Sequence, residues 1–171
     1  EIDWAQKRIT TKYPNFIFKH VDVNNNLYHQ SELKAEDFKF PYKNESFDFI
    51  FLNSVFTHMQ PEDIKNYIGE IERVLKPKGR CLITFFLLNE ESSEQIKLEK
   101  SIIDFKYLSD DVLTNNEEIP EDAIALEEEE VIRYFNDKNM VVNEPIHYGS
   151  WCQRKNYLSF QDIIIASKKL S

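Results

Sequence analysis

The sequence predicts an α/β fold built around a mostly parallel sheet, and three of its features lead to this prediction. Residues 47–52 and 81–88 are short apolar segments rich in aromatic and β-branched residues, which is typical of buried strands. A helical pattern lies between them, so residues 47–88 form a strand-helix-strand unit, the repeating element of parallel α/β sheets. Residues 162–166 have the apolar density of a central strand.

The composition narrows the classes of protein to consider. With 171 residues, of which 42% are hydrophobic, we expect one domain, residues 1–171, with a sizeable core. The 21 basic and 30 acidic residues give a formal charge of -9, which predicts no nucleic-acid partner. The longest apolar run, within residues 83–88, is far short of the roughly 20 residues that cross a bilayer. We find no signal-peptide pattern and only two cysteines, so we expect a cytoplasmic protein without membrane contact.

The first elements lie before the strand-helix-strand unit. Residues 3–11 have a helical pattern that is already under way at the start of the sequence. Residues 15–23 alternate between apolar and polar side chains and end in a run of three asparagines, residues 24–26. This pattern predicts a strand followed by a turn.

The helix of the strand-helix-strand unit has a clear start and end. Pro61 suits the first helical position, and acidic residues follow it in the first turn. Apolar side chains then recur at helical spacing as far as Leu75. Residues 76–79, of sequence KPKG, end the helix before the second strand.

The remaining elements follow a less regular stretch. Residues 89–120 predict a polar helix and a strand pair at about 105–114, and we expect this stretch to be an insertion that forms a lid over one end of the sheet. Residues 127–138 predict a helix that ends at Asn139, a residue that tolerates the left-handed conformation. Two final strands follow, the first of them at the sheet edge because of Pro145.

Glycine is scarce in this sequence. Only Gly69, Gly79 and Gly149 occur, and no two of them are close enough to form a phosphate-binding turn. The sequence therefore lacks the usual glycine-rich nucleotide loop.

Three segments resemble the class I S-adenosylmethionine-dependent methyltransferases, of the type 11/12-like group. They are residues 47–59 (FDFIFLNSVFTHM), residues 70–80 (EIERVLKPKGR) and residues 161–166 (QDIIIA). The resemblance implies a Rossmann-like mixed sheet of strand order 3-2-1-4-5-7-6 with an antiparallel seventh strand. It also implies S-adenosylmethionine as the cofactor and a small-molecule acceptor methylated on oxygen or nitrogen.

The sequence departs from the family pattern in the part that corresponds to the family's first two strands. The family's glycine-rich loop follows its first strand, and an acidic residue follows its second; both would lie upstream of residue 1. The chain thus resembles strands 3 to 7, with strands 1 and 2 absent. We expect either the C-terminal part of a longer protein or a strand 15–22 that docks beside strand 47–52, and weak or no cofactor binding by this chain alone.

The resemblance assigns the cofactor-binding residues to the carboxyl ends of the strands, where ligands bind in open α/β sheets. Asp22 and Val23 would contact the adenine, and Asn53 and Ser54 the methionine side. Each assignment has a plainer alternative, since aspartate before asparagine commonly forms a turn and Asn53 and Ser54 can simply cap a strand end.

The sequence also offers candidate catalytic and substrate-binding residues. His58 is the candidate general base because an imidazole changes charge near neutral pH, although it can equally well hydrogen-bond a neighbouring loop. Thr57, Tyr148, Trp151 and Arg154 are the candidate substrate contacts, with Arg154 binding an anionic group; packing over the sheet end is the commoner outcome for a residue such as Trp151.

Other chemistry has little support in the sequence. The four histidines have no metal-ligand spacing and neither cysteine has a Cys-x-x-Cys partner, so no metal site or cysteine nucleophile is predicted.

There are two alternatives to a methyltransferase. A non-enzymatic α/β module that dimerises through its incomplete sheet edge stays open, whereas a nicotinamide-dependent dehydrogenase fails because the glycine fingerprint is absent and residues 70–80 are methyltransferase-like.

Overall fold

A computed structural model of the protein describes residues 1–109 and 112–170. The α-helices of these residues are α1 (Ile2–Ala5), α2 (Pro61–Val74), α3 (Glu90–Lys97) and α4 (Glu128–Asn136), and a π-helix (Gln6–Thr10) continues α1. The strands are β1 (Phe47–Leu52), β2 (Leu75–Phe85), β3 (Leu87–Leu88), β4 (Tyr107–Ser109), β5 (Val112–Thr114), β6 (Ile124–Glu127), β7 (Met140–His147) and β8 (Asp162–Lys168). None of the described helices is long and apolar enough to cross a membrane.

The main sheet has the strand order β1-β2-β8-β7. Strands β1 and β2 are parallel, with Ile50 opposite Cys81, whereas β8 runs antiparallel to β2, with Ala166 opposite Cys81. Strand β7 lies at the edge, as Pro145 predicts. In the family's numbering this order is 4-5-7-6, so the prediction of a mixed sheet with an antiparallel seventh strand is confirmed.

The prediction of a strand at residues 15–23 is wrong. These residues form no strand in the structure, and the side chains of Phe16, Ile17 and Val21 are 52%, 77% and 45% exposed. An alternating segment becomes a strand only when a neighbour accepts its backbone hydrogen bonds. Among the described strands β1 pairs with β2 alone, so the predicted docking of residues 15–22 beside β1 is also wrong. The chain therefore contains family strands 4 to 7.

The main core lies between the sheet and the helices α2 and α4. Ile64, Ile68 and Ile71, at the predicted helical spacing, are fully buried together with Ile83 and Ile164 of the sheet. The burial of these side chains supplies most of the driving force for packing α2 on this face.

The face of β1 away from the core is exposed, whereas the sequence predicts a buried strand. Phe49 and Phe51 alternate with the core-facing side chains and are 50% and 69% exposed. Because alternate residues of a strand point to opposite faces, only half of this apolar run reaches the core.

A second, smaller sheet has the order β3-β6-β5-β4. Strands β4 and β5 pair antiparallel, which confirms the strand pair predicted near residues 105–114, although residues 110–111 lie outside the described residues. Strand β6 was not predicted; it pairs with both β3 and β5. Phe86, Phe105 and Trp151 form the centre of a second cluster of buried side chains beside this sheet.

Asparagine residues mark the start of α3, for which the sequence predicts no cap, and the turn after α4. Asn89 caps α3, accepting a hydrogen bond from the backbone N–H of Ser92, while the Ser92 hydroxyl accepts one from the backbone N–H of Asn89. Asn139, just after α4, has φ of 54°, in the left-handed region predicted for it.

Candidate functional site

The carboxyl ends of the parallel strands β1 and β2 lie at one edge of the sheet, where ligands bind in open α/β folds. Ser54, just past the end of β1, has φ of 55°, an uncommon backbone conformation for a residue other than glycine. Its backbone N–H donates to the Thr84 hydroxyl at 2.8 Å and its own hydroxyl donates to Gln161 Oε1 at 3.0 Å. These bonds tie the turn after β1 to β2 and to the start of β8.

A cavity of about 280 Å³ lies beside this turn. It brings together three of the predicted site residues, Val23, Ser54 and His58. Its other lining residues are Val21, Asn24, Asn25, Tyr28, Ala35, Val55, Met59, Asp63 and Tyr67. Among the described residues of this lining, Asp63 is the one acidic side chain, and neither lysine nor arginine occurs there.

His58 has a defined proton arrangement. Its Nδ1 lies 2.9 Å from the backbone carbonyl oxygen of Glu121, which can only accept, so Nδ1 carries the hydrogen. In the neutral ring Nε2 then holds the lone pair. The Tyr28 hydroxyl lies 3.5 Å from Nε2, and the two rings meet edge to face at 5.4 Å. The nitrogen able to take up a proton therefore lies beside Tyr28, in the wall of the cavity.

The asparagine turn holds the cavity wall in place. The Asn25 side chain donates to the His58 carbonyl oxygen at 2.9 Å, and its Oδ1 accepts from the backbone N–H groups of Leu27 and Tyr28. The next residue, Asn26, donates to Glu121 Oε1 at 2.8 Å. Sequence reasoning identified the turn but missed these contacts, because no local pattern indicates which distant segment a turn will touch.

Asp22 and Asn53 lie outside the cavity lining. The Asp22 carboxylate is exposed and lies 2.6 Å from Nε2 of His29. The hydrogen bond with His29 lowers the pKa of Asp22. Asn53 is exposed after β1. Of the four predicted cofactor residues, the structure thus brings Val23 and Ser54 together with His58.

The cavity lining also contains two ionisable side chains, Asp63 and Tyr67. Burial raises the pKa of Asp63, and the nearby carboxylates of Glu36 and Glu121 raise it further. Burial also raises the pKa of Tyr67 to about 12, with Asp63 as the second cause. A positive group in this cavity would meet neither lysine nor arginine among the described lining residues.

Thr57 does not fit the predicted role of a substrate contact in this structure. It lies in the short helix Phe56–His58, and its side chain is fully buried and does not line the cavity. Within the described residues its hydroxyl has no hydrogen-bond partner.

Trp151 and Arg154 serve a different purpose from the acceptor wall predicted for them. Trp151 is fully buried and donates from Nε1 to Asp162 Oδ2 at 2.7 Å. Arg154 donates to Asp162 Oδ1 at 3.1 Å and to Glu91 Oε2 at 2.9 Å. Because a buried carboxylate needs hydrogen-bond donors, Asp162 draws both side chains inward. They fix the loop between β7 and β8, and Arg154 also lines an open groove together with Tyr148, with its guanidinium 4.8 Å from the centre of the Tyr148 ring.

Tyr148 lines an open groove on another part of the surface. Its hydroxyl donates to Glu128 Oε1 at 3.0 Å, and burial together with this bond raises its pKa to about 12. The groove runs between α3 and residues 153–158 and shares no lining residue with the cavity beside His58. The predicted substrate residues are therefore not assembled with the predicted base.

The described part of the chain contains no arrangement of side chains that would support metal binding or a reactive thiol. No group of three or more His, Cys, Asp or Glu side chains there could hold a metal ion. Burial raises the pKa of Cys81 to about 12 and that of Cys152 to about 11, which disfavours the reactive thiolate.

Comparison with known proteins links this geometry to a family. Residues 13–83 match a family model described as a methyltransferase domain, and this match includes Val23, Ser54 and His58. Among solved structures, a S-adenosylmethionine-dependent methyltransferase from Methanosarcina mazei matches with a TM-score of 0.56 at 19% identity, covering 85% of this chain and 72% of that chain.

Two further matches have lower TM-scores. The 1,6-didemethyltoxoflavin-N1-methyltransferase of Burkholderia thailandensis has a TM-score of 0.48 at 13% identity, covering 83% of this chain and 51% of that one. The geranyl diphosphate C-methyltransferase of Streptomyces coelicolor has a TM-score of 0.49 at 11% identity, covering 99% and 60%. The chain thus spans less than two thirds of the length of these two proteins.

The family-model match and the likeness to the Methanosarcina mazei structure agree with the β1-β2-β8-β7 sheet. The chain therefore has the fold of the class I S-adenosylmethionine-dependent methyltransferases, with family strands 4 to 7 and a methyltransferase-domain match over residues 13–83.

Proposed function

We propose that this chain is the catalytic part of an S-adenosylmethionine-dependent methyltransferase that acts on a hydroxyl or amine group of a small molecule. The observation that carries the proposal is the cavity at the end of β1, where the Nε2 lone pair of His58 lies near Val23 and Ser54. The acidic composition favours a small acceptor over nucleic acid, and we expect a cytoplasmic location.

The residues of the cavity fit one part of the cofactor. S-adenosylmethionine supplies a methyl group on a positively charged sulfur, and the described cavity wall combines apolar side chains with Asp63 and contains neither lysine nor arginine. The volume of about 280 Å³ is just below the range of about 300–1,000 Å³ usual for ligand sites. The cavity would therefore enclose only part of the cofactor, and we propose weak binding by this chain alone.

His58 would act on the acceptor. Methyl transfer is an in-line displacement in which alignment of acceptor and methyl group matters most, and a base is needed only when the acceptor has a proton to lose. With Nδ1 hydrogen-bonded to Glu121, Nε2 can take up that proton. We also propose that the chain is one domain in which residues 89–120, which lead to Pro120–Asp122, form a lid beside His58.

A transfer assay and a binding measurement test the proposal. Purified protein would be incubated with methyl-labelled S-adenosylmethionine and a set of small phenols and amines. We expect His58→Asn to lower the transfer rate about 100-fold or more, as expected for loss of a general base, while His20→Asn in the exposed N-terminal segment serves as the matched control. Equal loss in both variants would reject His58 as the base.

The binding measurement tests the cofactor assignment separately. Calorimetric titration of S-adenosylmethionine should give a dissociation constant in the range of about 0.1–1 mM. Tight binding by the 171-residue chain would contradict the proposed partial site, and no binding at millimolar concentration would contradict the cofactor assignment.

A second candidate function is self-association through β1, as in a non-enzymatic α/β module. The supporting observation is that β1 has one neighbour among the described strands and carries the exposed side chains of Phe49 and Phe51. Sedimentation velocity over a range of concentrations should then show a dimer that Phe51→Lys abolishes. A wild-type chain that is monomeric throughout would exclude this candidate.

A further inference from the structure

We infer that Glu121 is a positioning residue for His58, selecting its proton arrangement and holding Tyr28 beside it. Glu121 lies in the short helix Pro120–Asp122, far from His58 in the sequence. The inference extends the proposed function only in taking His58 as the base; the geometry of Glu121, His58 and Tyr28 does not depend on it.

The backbone carbonyl of Glu121 determines which His58 nitrogen carries hydrogen. A carbonyl oxygen has no hydrogen to donate, so a distance of 2.9 Å to Nδ1 requires an Nδ1–H donor. The other tautomer would place the Nδ1 lone pair against the oxygen lone pairs, which is repulsive. The partner of one ring nitrogen thus fixes the state of the other, and Nε2 is kept as the acceptor.

The carboxylate of Glu121 keeps that carbonyl in place. The residue is only 7% exposed, and its Oε1 accepts from Asn26 at 2.8 Å. Asn25 in the same turn donates to the His58 carbonyl oxygen at 2.9 Å. These two bonds, together with the Nδ1–H bond, close a ring of contacts among three segments that are distant in sequence. We call this ring the Asn26–Glu121 clamp.

The clamp also positions Tyr28. The Asn25 Oδ1 accepts from the Tyr28 backbone N–H at 3.2 Å, so the turn that the clamp holds also carries the Tyr28 ring. At 3.5 Å the Tyr28 hydroxyl is at the limit of a hydrogen bond to Nε2, and its side chain is largely exposed. An acceptor hydroxyl or amine can therefore displace it without breaking a strong bond.

Both the methyl group and the acceptor's proton are transferred in the proposed reaction. The acceptor forms a bond to the methyl carbon as the bond from sulfur to that carbon breaks, and the acceptor's proton moves to Nε2. The resulting imidazolium still donates from Nδ1 to the Glu121 carbonyl, and it releases the Nε2 proton to water afterwards.

Nuclear magnetic resonance of the full chain tests the inference without cofactor. Long-range correlation spectra of the ring nitrogens, recorded above neutral pH, distinguish the two tautomers, and His58→Asn assigns the signals. We expect His58 with hydrogen on Nδ1. His29 is an internal contrast, since its Nε2 faces the Asp22 carboxylate at 2.6 Å and should carry hydrogen. Hydrogen on Nε2 of wild-type His58 would overturn the inference.

Three variants test the clamp itself. Asn26→Ala, at an exposed position, and Glu121→Ala should each raise the Nε2–H population of His58 several-fold, whereas Glu121→Gln keeps an oxygen for Asn26 and should restore the wild-type ratio. Should Glu121→Ala fail to fold, Asn26→Ala supplies the test. An unchanged tautomer ratio in folded Asn26→Ala would overturn the clamp. Failure of S-adenosylmethionine binding alone would reject the proposed function and leave these signals unaffected.

Discussion

The buried carboxylate of Asp162 connects β3, the loop between β7 and β8, and β8 itself. It is fully buried and accepts four hydrogen bonds from N–H groups. The donors and distances are Leu87 N at 2.7 Å, Gly149 N at 2.6 Å, Trp151 Nε1 at 2.7 Å and the Arg154 guanidinium at 3.1 Å. Burial raises the pKa of Asp162, and these four donors oppose that shift.

Replacing Asp162 by Asn should therefore be strongly destabilising. The amide offers one oxygen, while its NH₂ group faces the two donors that bonded the lost oxygen. Each buried N–H without an acceptor costs about 1–3 kcal/mol, so we expect a loss of about 3–6 kcal/mol, including the loss of charge opposite Arg154. This is a large share of the roughly 5–15 kcal/mol that stabilises a typical domain.

Urea unfolding followed by the fluorescence of Trp151 measures this loss. The matched control is Asp48→Asn, because the Asp48 side chain is 83% exposed and pairs with Lys76 at 2.8 Å. We expect the control to lose less than about 1 kcal/mol. Trp4→Phe would remove the second tryptophan signal. Equal losses at the two aspartates, or a loss below about 1 kcal/mol for Asp162→Asn, would refute the reasoning.

Three further results are expected. The hydrogen bonds from Arg73 lower the pKa of Glu70 from its ordinary value of 4.5, so the unfolded chain takes up this proton first as pH falls. The stability difference between wild type and Glu70→Gln should hold above pH 4.5 and shrink below it; a constant difference in urea unfolding would contradict this. At Gly149 a Cβ would overlap the Phe160 carbonyl oxygen, so Gly149→Ala should lower the unfolding free energy by more than about 2 kcal/mol. The helical control Gly69→Ala, where a Cβ would make ordinary contact with the Lys138 side chain at 3.6 Å, should instead raise it by about 0.5–1 kcal/mol, and equal effects would argue against the close approach. Cys81 and Cys152, with pKa raised to about 12 and about 11, should resist iodoacetamide until the chain unfolds; fast labelling of the native protein would show that they are accessible.

Local patterns predicted the elements whose structure depends mainly on their own residues. The helix α2 follows from the spacing of its apolar side chains and Pro61, and β8 from its apolar density. Residues 15–23 have an equally clear alternation, yet they form no strand, because strand formation needs a partner and no described strand pairs with them. Strand β6 was missed because its four residues are too few to show a period.

In the candidate site, too, local patterns predicted some features, whereas others depend on residues distant in the sequence. His58 was identifiable because its residue type suits proton transfer, but its partner Glu121 lies 63 residues away and no local pattern indicates it. Trp151 and Arg154 were expected to face an acceptor because their residue types suit binding surfaces. Their inward orientation follows from the buried carboxylate of Asp162, which a sequence does not distinguish from an exposed one.

We propose that the cavity at the end of β1 receives the cofactor. Titration of isotope-labelled protein with S-adenosylhomocysteine, the product left after methyl transfer, tests it residue by residue. We predict that the largest shifts of resonance frequency occur at Val23, Ser54 and His58, and that Tyr157 in the groove beside α3 does not move. Shifts centred on Tyr157, or none at millimolar ligand, would contradict the account.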